Sequence, residues 1–313
     1  MLKATTILIL LLYACLAAHA QDSTVITRFT MHDDVFITID QPANMNPRNE
    51  TIIILYALPN GNTTAQTMGK QMQPGDDWHY NIQHIAAQTK FVRHALPAQN
   101  IITIYLENKY KSWPAWRQKS SDAATFIPHI IDSLYSMIPA KRKVLYLNGH
   151  SGGGSFIFGY LKTQTSIPAF IKRISFLDSE YGYDSSLATL FKQWLLHNTK
   201  AYLSVFAYND SIALYNGKPV VSATGGTWYR SKLMLKDLSE NIPFQETQTD
   251  SVTAYISKDK RVQFFFKQNL DRGIYHTQQV ERNGFIHSVL CGTSQDSKGY
   301  KYYDTAAYRK WIK

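Results

Sequence analysis

The chain has 313 residues, a formal net charge of +10 and two cysteines, Cys15 and Cys291. So few cysteines exclude a disulfide-stapled scaffold and a cysteine-built zinc site, so the fold must rest on a packed core, which this length can supply as a single domain. Lysines and arginines are scattered, with short runs such as Lys141-Arg142-Lys143, and no stripe of them marks a nucleic-acid groove. The charge reads as a solvated basic surface, or alternatively as attraction to an anionic envelope or polysaccharide.

Residues 1–20 read as an export signal. Lys3 supplies a positive charge, Ile7 to Ala18 an apolar run, and Ala18-His19-Ala20 small residues at the cleavage positions. The run is short for a membrane span, and no later segment is long and apolar enough to be one. The mature domain then covers 21–313, in a secreted or periplasmic setting, and keeps Cys291 alone. Cys15, preceded by Leu12-Tyr13-Ala14, offers a lipid-anchor site as the rival reading, although Tyr13 is bulky for such a signal.

Beyond the signal, strands alternate with helices, the pattern of a mostly parallel sheet covered on both faces. Val25 to Phe29 and Val35 to Ile39 read as a hairpin around His32-Asp33-Asp34. Thr51 to Ala57, Ile101 to Leu106 and Val144 to Leu147 are apolar runs of central-strand type. Ile174 to Leu177, Tyr202 to Ala207 and Val262 to Phe266 continue the series. Phe126, Ile127, Ile130, Ile131, Leu134 and Ile138 recur at helical spacing, with Ser120, Ser121 and Asp122 as candidate caps. A helix carrying Phe156, Ile157 and Tyr160 is expected directly after Ser151. Others are expected over Leu187 to His197 and Tyr229 to Leu238. Asn241 to Asp250, polar and containing Pro243, reads as a surface loop, and Val252 to Ile256 as a hairpin partner of the strand at Val262.

The most informative stretch is Val144-Leu145-Tyr146-Leu147-Asn148-Gly149-His150-Ser151-Gly152-Gly153-Gly154. A buried strand runs into a tight turn and then a helix. Such a turn strains the serine backbone and projects its hydroxyl above the strand end. Glycines on either side let neighbouring backbone approach. The helix N-terminus behind it favours negative charge, and the N–H of Gly152 is the natural first donor to an oxyanion. A phosphate-binding turn would need a following Lys-Ser/Thr pair or the dinucleotide glycine spacing, and neither is present. His150, inside the turn, reads as packing beneath it.

On this motif and its placement, the chain resembles the α/β-hydrolase superfamily from about Thr51 to His287, and is similar to secreted bacterial serine esterases. The resemblance implies a three-layer α/β sandwich with a mostly parallel sheet of about eight strands. It also implies a Ser–acid–His triad in that chain order, and no metal or organic cofactor. Under it, Thr51 to Ala57 is the third strand. The second oxyanion donor then comes from Leu58-Pro59-Asn60-Gly61-Asn62, with Asn60, Gly61 and Asn62 as candidates. This loop lacks the His-Gly pair common there, and an ordinary Asn-Gly turn is the competing reading. The base comes from the loop after the last strand. His287, in Asn283-Gly284-Phe285-Ile286-His287-Ser288, is placed ahead of His276, in Ile274-Tyr275-His276-Thr277. For the acid, Asp210 follows the strand Tyr202 to Ala207 and is placed ahead of Asp178, with Glu180 as a third carboxylate nearby.

Trp113, Pro114, Trp116 and Arg117, in the loop after Leu106, and Tyr181, Tyr183, Trp228 and Tyr229 fall at one sheet edge, where ligands bind in an open α/β sheet. The tryptophans could stack on sugar rings or grip an acyl group, or simply pack the loops together. Asn49-Glu50-Thr51, Asn62-Thr63-Thr64 and Asn209-Asp210-Ser211 match glycosylation sequons, a pattern frequent by chance. The expectation is a serine hydrolase cleaving a carboxylic ester, the substrate a small molecule or a glycan ester. A serine peptidase, or a non-catalytic envelope or glycan-binding protein on the same scaffold, are the alternatives.

Overall fold

The structure is a computed structural model that describes residues 23–32, 34–249 and 251–313. The expected export segment, with Cys15, and Asp33 of the first turn lie outside the described residues. A sheet of ten strands organises the chain, in the order β1-β2-β4-β3-β5-β6-β7-β12-β11-β10. β4 (Gln99–Asn108), β3 (Glu50–Ala57), β5 (Lys143–His150), β6 (Ile171–Leu177), β7 (Tyr202–Tyr208) and β12 (Val262–Lys267) run parallel. At one edge β1 (Thr24–Met31) and β2 (Val35–Pro42) form the anticipated hairpin. At the other, β11 (Val252–Ser257) pairs antiparallel with β12.

The unbroken apolar runs follow from burial on both faces. Successive strand residues point to opposite sides, and β3 divides accordingly. Ile53, Leu55 and Ala57 enter one core with the helices α3 (Trp113–Lys119), α4 (Ala123–Met137), α5 (Gly154–Leu161), α6 (Ala188–His197) and α7 (Thr227–Ser239). Ile52, Ile54 and Tyr56 enter the other, with α2 (Ile85–Ala95) and α9 (Gly284–Leu290). The short helices α1 (Thr64–Met68) and α8 (Gln278–Glu281) sit in loops, and β8 (Leu214–Tyr215) and β9 (Lys218–Pro219) make a separate two-stranded ribbon.

Three expectations are corrected. Asn241 to Asp250 is not wholly loop, because Phe244–Gln248 forms β10, paired antiparallel with β11. An edge strand is held by backbone hydrogen bonds on one side and can be polar along most of its length. The segment of Trp113 and Trp116 is α3, begun by Ser112, whose hydroxyl accepts the Ala115 N–H at 3.3 Å, and by Pro114 in the first turn. The stretch around His287 is the helix α9, not a loop leading into one.

Candidate active site

Because the six central strands are parallel, their carboxyl ends lie at one edge of the sheet, and the candidate residues come from the connections that leave it. The register pairs His150 with Leu177 at the ends of β5 and β6, so Ser151 and Asp178 each stand one residue past a paired strand end. Both carry a left-handed backbone, φ 54° and 49°. This is a conformation that costs a non-glycine residue about 1–3 kcal/mol and persists only where the surroundings impose it.

The surroundings of Ser151 are mostly backbone. A Cβ on Gly153 would overlap the Ala57 carbonyl, and one on Gly154 the Ser179 carbonyl, so β3 and the Asp178 loop both close onto the turn. The Ser179 hydroxyl donates to the Gly149 carbonyl at 3.0 Å, tying the two loops together. A Cβ on Gly152 would strike the side-chain amide of Asn60, which places Asn60 over the start of the helix. There the first N–H groups have no intrahelical acceptor. The N–H of Gly61 is committed to the Lys111 carbonyl at 2.8 Å. Gly61 is thereby corrected as a candidate oxyanion donor, and Asn60 is left beside Gly152. Asn62 is buried and lines a small space together with Leu58, Glu107 and Trp113, apart from the cavity over Ser151.

The histidines separate clearly. His276, in the loop after β12, joins Nδ1 to the Oδ2 of Asp178. His276 is 22% exposed and Asp178 fully buried. His150 lies beneath, its ring centroid 4.6 Å from that of His276, and its Nε2 bonds the His276 carbonyl at 3.3 Å. A carbonyl only accepts, so the His150 proton sits on Nε2. Burial, and then the neighbouring His276, hold its pKa well below the ordinary histidine range. His287, the histidine placed first from sequence, is not in this group. It is on the inner face of α9 among Phe206, Phe265, Tyr300 and Tyr302. Its Nδ1 meets the Tyr300 hydroxyl at 3.0 Å, and burial pushes its pKa down to about 4. These are the marks of a neutral core histidine.

The carboxylates sort in the same way. Besides His276, Asp178 accepts the Thr227 hydroxyl and, at 3.4 Å, the Tyr208 N–H. Asp210, placed first as the acid from sequence, caps α7 instead, taking the N–H groups of Thr227 at 2.8 Å and Trp228 at 3.3 Å. Gly226 is required there, since a Cβ would overlap the Asp210 carboxylate. The Thr227 hydroxyl also reaches Asp210 at 3.2 Å, so one proton serves two buried carboxylates. Burial, reinforced by the charge of Asp178, raises the Asp210 pKa to about 6. Glu180, fully buried, accepts the Ser179 N–H at 3.2 Å, and burial followed by the Asp178 charge raises it well above the usual carboxylate range. Thr227, the link between the two aspartates, was not singled out from sequence; its place after Gly226 at the start of a helix was the available signal.

A cavity of about 400 Å³ opens over Ser151, bounded by Gly152, Asn60, Arg117, Ser155 and Tyr181 among others. Trp113 and Trp116 are buried and cannot stack on a ligand; Trp113 packs against Trp116 and Phe156. Tyr183 is also buried, donating to Asp237 at 2.9 Å, whereas Tyr181 is 41% exposed at the cavity.

No protein-family model and no curated protein matches the sequence. Solved structures do match in fold. One titled as FAE aligns over 90% of both chains with a TM-score of 0.53 at 9% identity. The feruloyl esterase module of Clostridium thermocellum aligns over 91% of this chain and 87% of its own, TM-score 0.49 at 9% identity. The acetyl xylan esterase of Aspergillus awamori aligns over 79% and 93%, TM-score 0.46 at 12% identity.

Proposed function

We propose that this chain, whose fold is that of the α/β-hydrolases, is an exported serine hydrolase that cleaves carboxylic esters through an acyl-enzyme. The reading rests on the strained Ser151 turn and on the His276–Asp178 pair at the neighbouring strand end. The arrangement supports one division of labour. Asp178 holds the proton of His276 on Nδ1, which leaves Nε2 to act as base toward the Ser151 hydroxyl. The serine oxygen bonds to the acyl carbon. The oxyanion that forms is met by the N–H of Gly152 and by Asn60. The imidazolium gives its proton to the departing alcohol, and water, activated by the same histidine, releases the acid. His150 beneath and Thr227 behind keep the imidazole and carboxylate in place. Export is read from Lys3 and the apolar run before Gln21. The cavity over Ser151 is open at the surface, where a carboxylic ester can reach the serine.

The test is intact-mass analysis after treatment with a fluorophosphonate, alongside a panel of short acyl esters, sugar acetates and aminoacyl substrates. Labelling of the wild type and its loss in Ser151→Ala are expected, with turnover in the ester members. An unlabelled wild type, under conditions that label a control hydrolase, overturns the reading.

A further inference from the structure

One charged side chain stands on the wall of the Ser151 cavity, and nothing in the hydrolytic steps above uses it. Arg117, on α3, is half-buried and faces the same space as Ser151, Gly152 and Tyr181. Its Nη1 donates to the carbonyl of Ser155 at 3.0 Å and to the Ser155 hydroxyl at 3.1 Å. Ser155 is four residues beyond Ser151 on the helix that the turn begins, so the guanidinium is fixed about one helical turn from the nucleophile. Burial lowers its pKa. Among the described residues no ion pair involves it, and the other residues of the cavity wall are uncharged.

A half-buried guanidinium without a counter-charge is costly unless an anion joins it. Its fork of N–H groups matches a carboxylate, and its anchoring to Ser155 means that little freedom is lost on binding. The formal net charge of +10 would draw anions toward such a groove. From this we propose that the site selects esters that carry a second, free carboxylate, which Arg117 holds while Ser151 attacks the ester carbon. The inference rests on the hydrolase reading and narrows its substrate class. The carboxylate remains unchanged in the reaction; only the ester C–O bond breaks, and water supplies the new acid oxygen. It can belong to the acyl part or to the alcohol part, and the two are separable by experiment.

Two matched pairs test the proposal in low-salt buffer. For the acyl side, 4-nitrophenyl hydrogen adipate is compared with its terminal amide. For the alcohol side, 4-acetoxyphenylacetate is compared with 4-acetoxyphenylacetamide. The wild type is expected to favour the acid in at least one pair by about tenfold or more in kcat/KM, in the range of a charge-assisted hydrogen bond. Arg117→Gln should bring that ratio close to one, and Arg117→Lys, which keeps the charge but not the fork, should retain part of it. The pair that responds identifies the side of the carboxylate. No preference for the acid in either pair, or a ratio that Arg117→Gln leaves intact, overturns the proposal. Fluorophosphonate labelling reads the hydrolase assignment separately. Should neither pair be turned over, titration of Ser151→Ala with 4-acetoxyphenylacetate and with its amide reads the same preference as binding, and equal affinity overturns it.

Discussion

Asp178→Asn and Asp210→Asn form a matched pair of substitutions with opposite expected outcomes. Each aspartate is buried, each follows a parallel strand, and each touches Thr227, so composition alone cannot rank them. Their other partners do. Asp178 takes His276 Nδ1; Asp210 takes the two N–H groups that open α7. An asparagine at 178 can turn its oxygen to His276 only by presenting its NH2 to the donors Thr227 and Tyr208. The reverse orientation sets NH2 against the imidazole and favours the wrong tautomer. Loss of a triad acid in this way costs about 10⁴ in kcat, or roughly 5.5 kcal/mol of transition-state stabilisation. An asparagine at 210 keeps one acceptor for the α7 N–H groups and sets its NH2 against the other, so about 1–3 kcal/mol of stability should be lost while kcat of the folded variant stays within about tenfold of wild type. Steady-state turnover of a 4-nitrophenyl ester measures this, after circular dichroism has shown both variants folded. A folded Asp178→Asn variant that turns over normally, beside an inactive folded Asp210→Asn variant, would refute the assignment.

Further outcomes follow from the same geometry. His276→Ala should lower kcat by several orders of magnitude with little change in the urea midpoint. His287→Ala should instead cost about 2–4 kcal/mol of stability, as a buried ring among aromatics, and leave folded enzyme active. The raised pKa of Asp210 means that the folded chain holds this proton more tightly than the unfolded one. Stability should therefore fall as pH rises from about 4 to about 6, by up to roughly 3 kcal/mol. Urea titrations across that range check it, and Asp210→Asn should lose this part of the slope. Gly154→Ala, whose Cβ meets the fixed carbonyl of Ser179, should destabilise by about 1–3 kcal/mol, read from thermal unfolding.

The alternating layers, the central strands and the glycine-rich turn around Ser151 were legible in the sequence, because each is written in a local pattern. A strand buried on both faces is an unbroken apolar run, and a turn crowded by backbone on several sides must be glycine around its serine. The polar edge strand β10 and the helix α2 were missed for the matching reason. The edge strand is defined by hydrogen bonds to β11 rather than by its own residues, and α2 shows its buried face only against α9 and the sheet. Which histidine and which carboxylate the fold brings together was beyond local reading. The serine, Asp178 and His276 are distant in sequence, and both aspartates and both late histidines satisfy the same chain order. What separates them is which side chain the parallel register carries to the strand ends beside Ser151. That register turns His276 toward Asp178, gives Asp210 to the start of α7, and places His287 on the helix face that packs the core. Chain order limits the candidates for a histidine–carboxylate pair, but hydrogen-bond distance chooses between them, and only tertiary packing sets that distance.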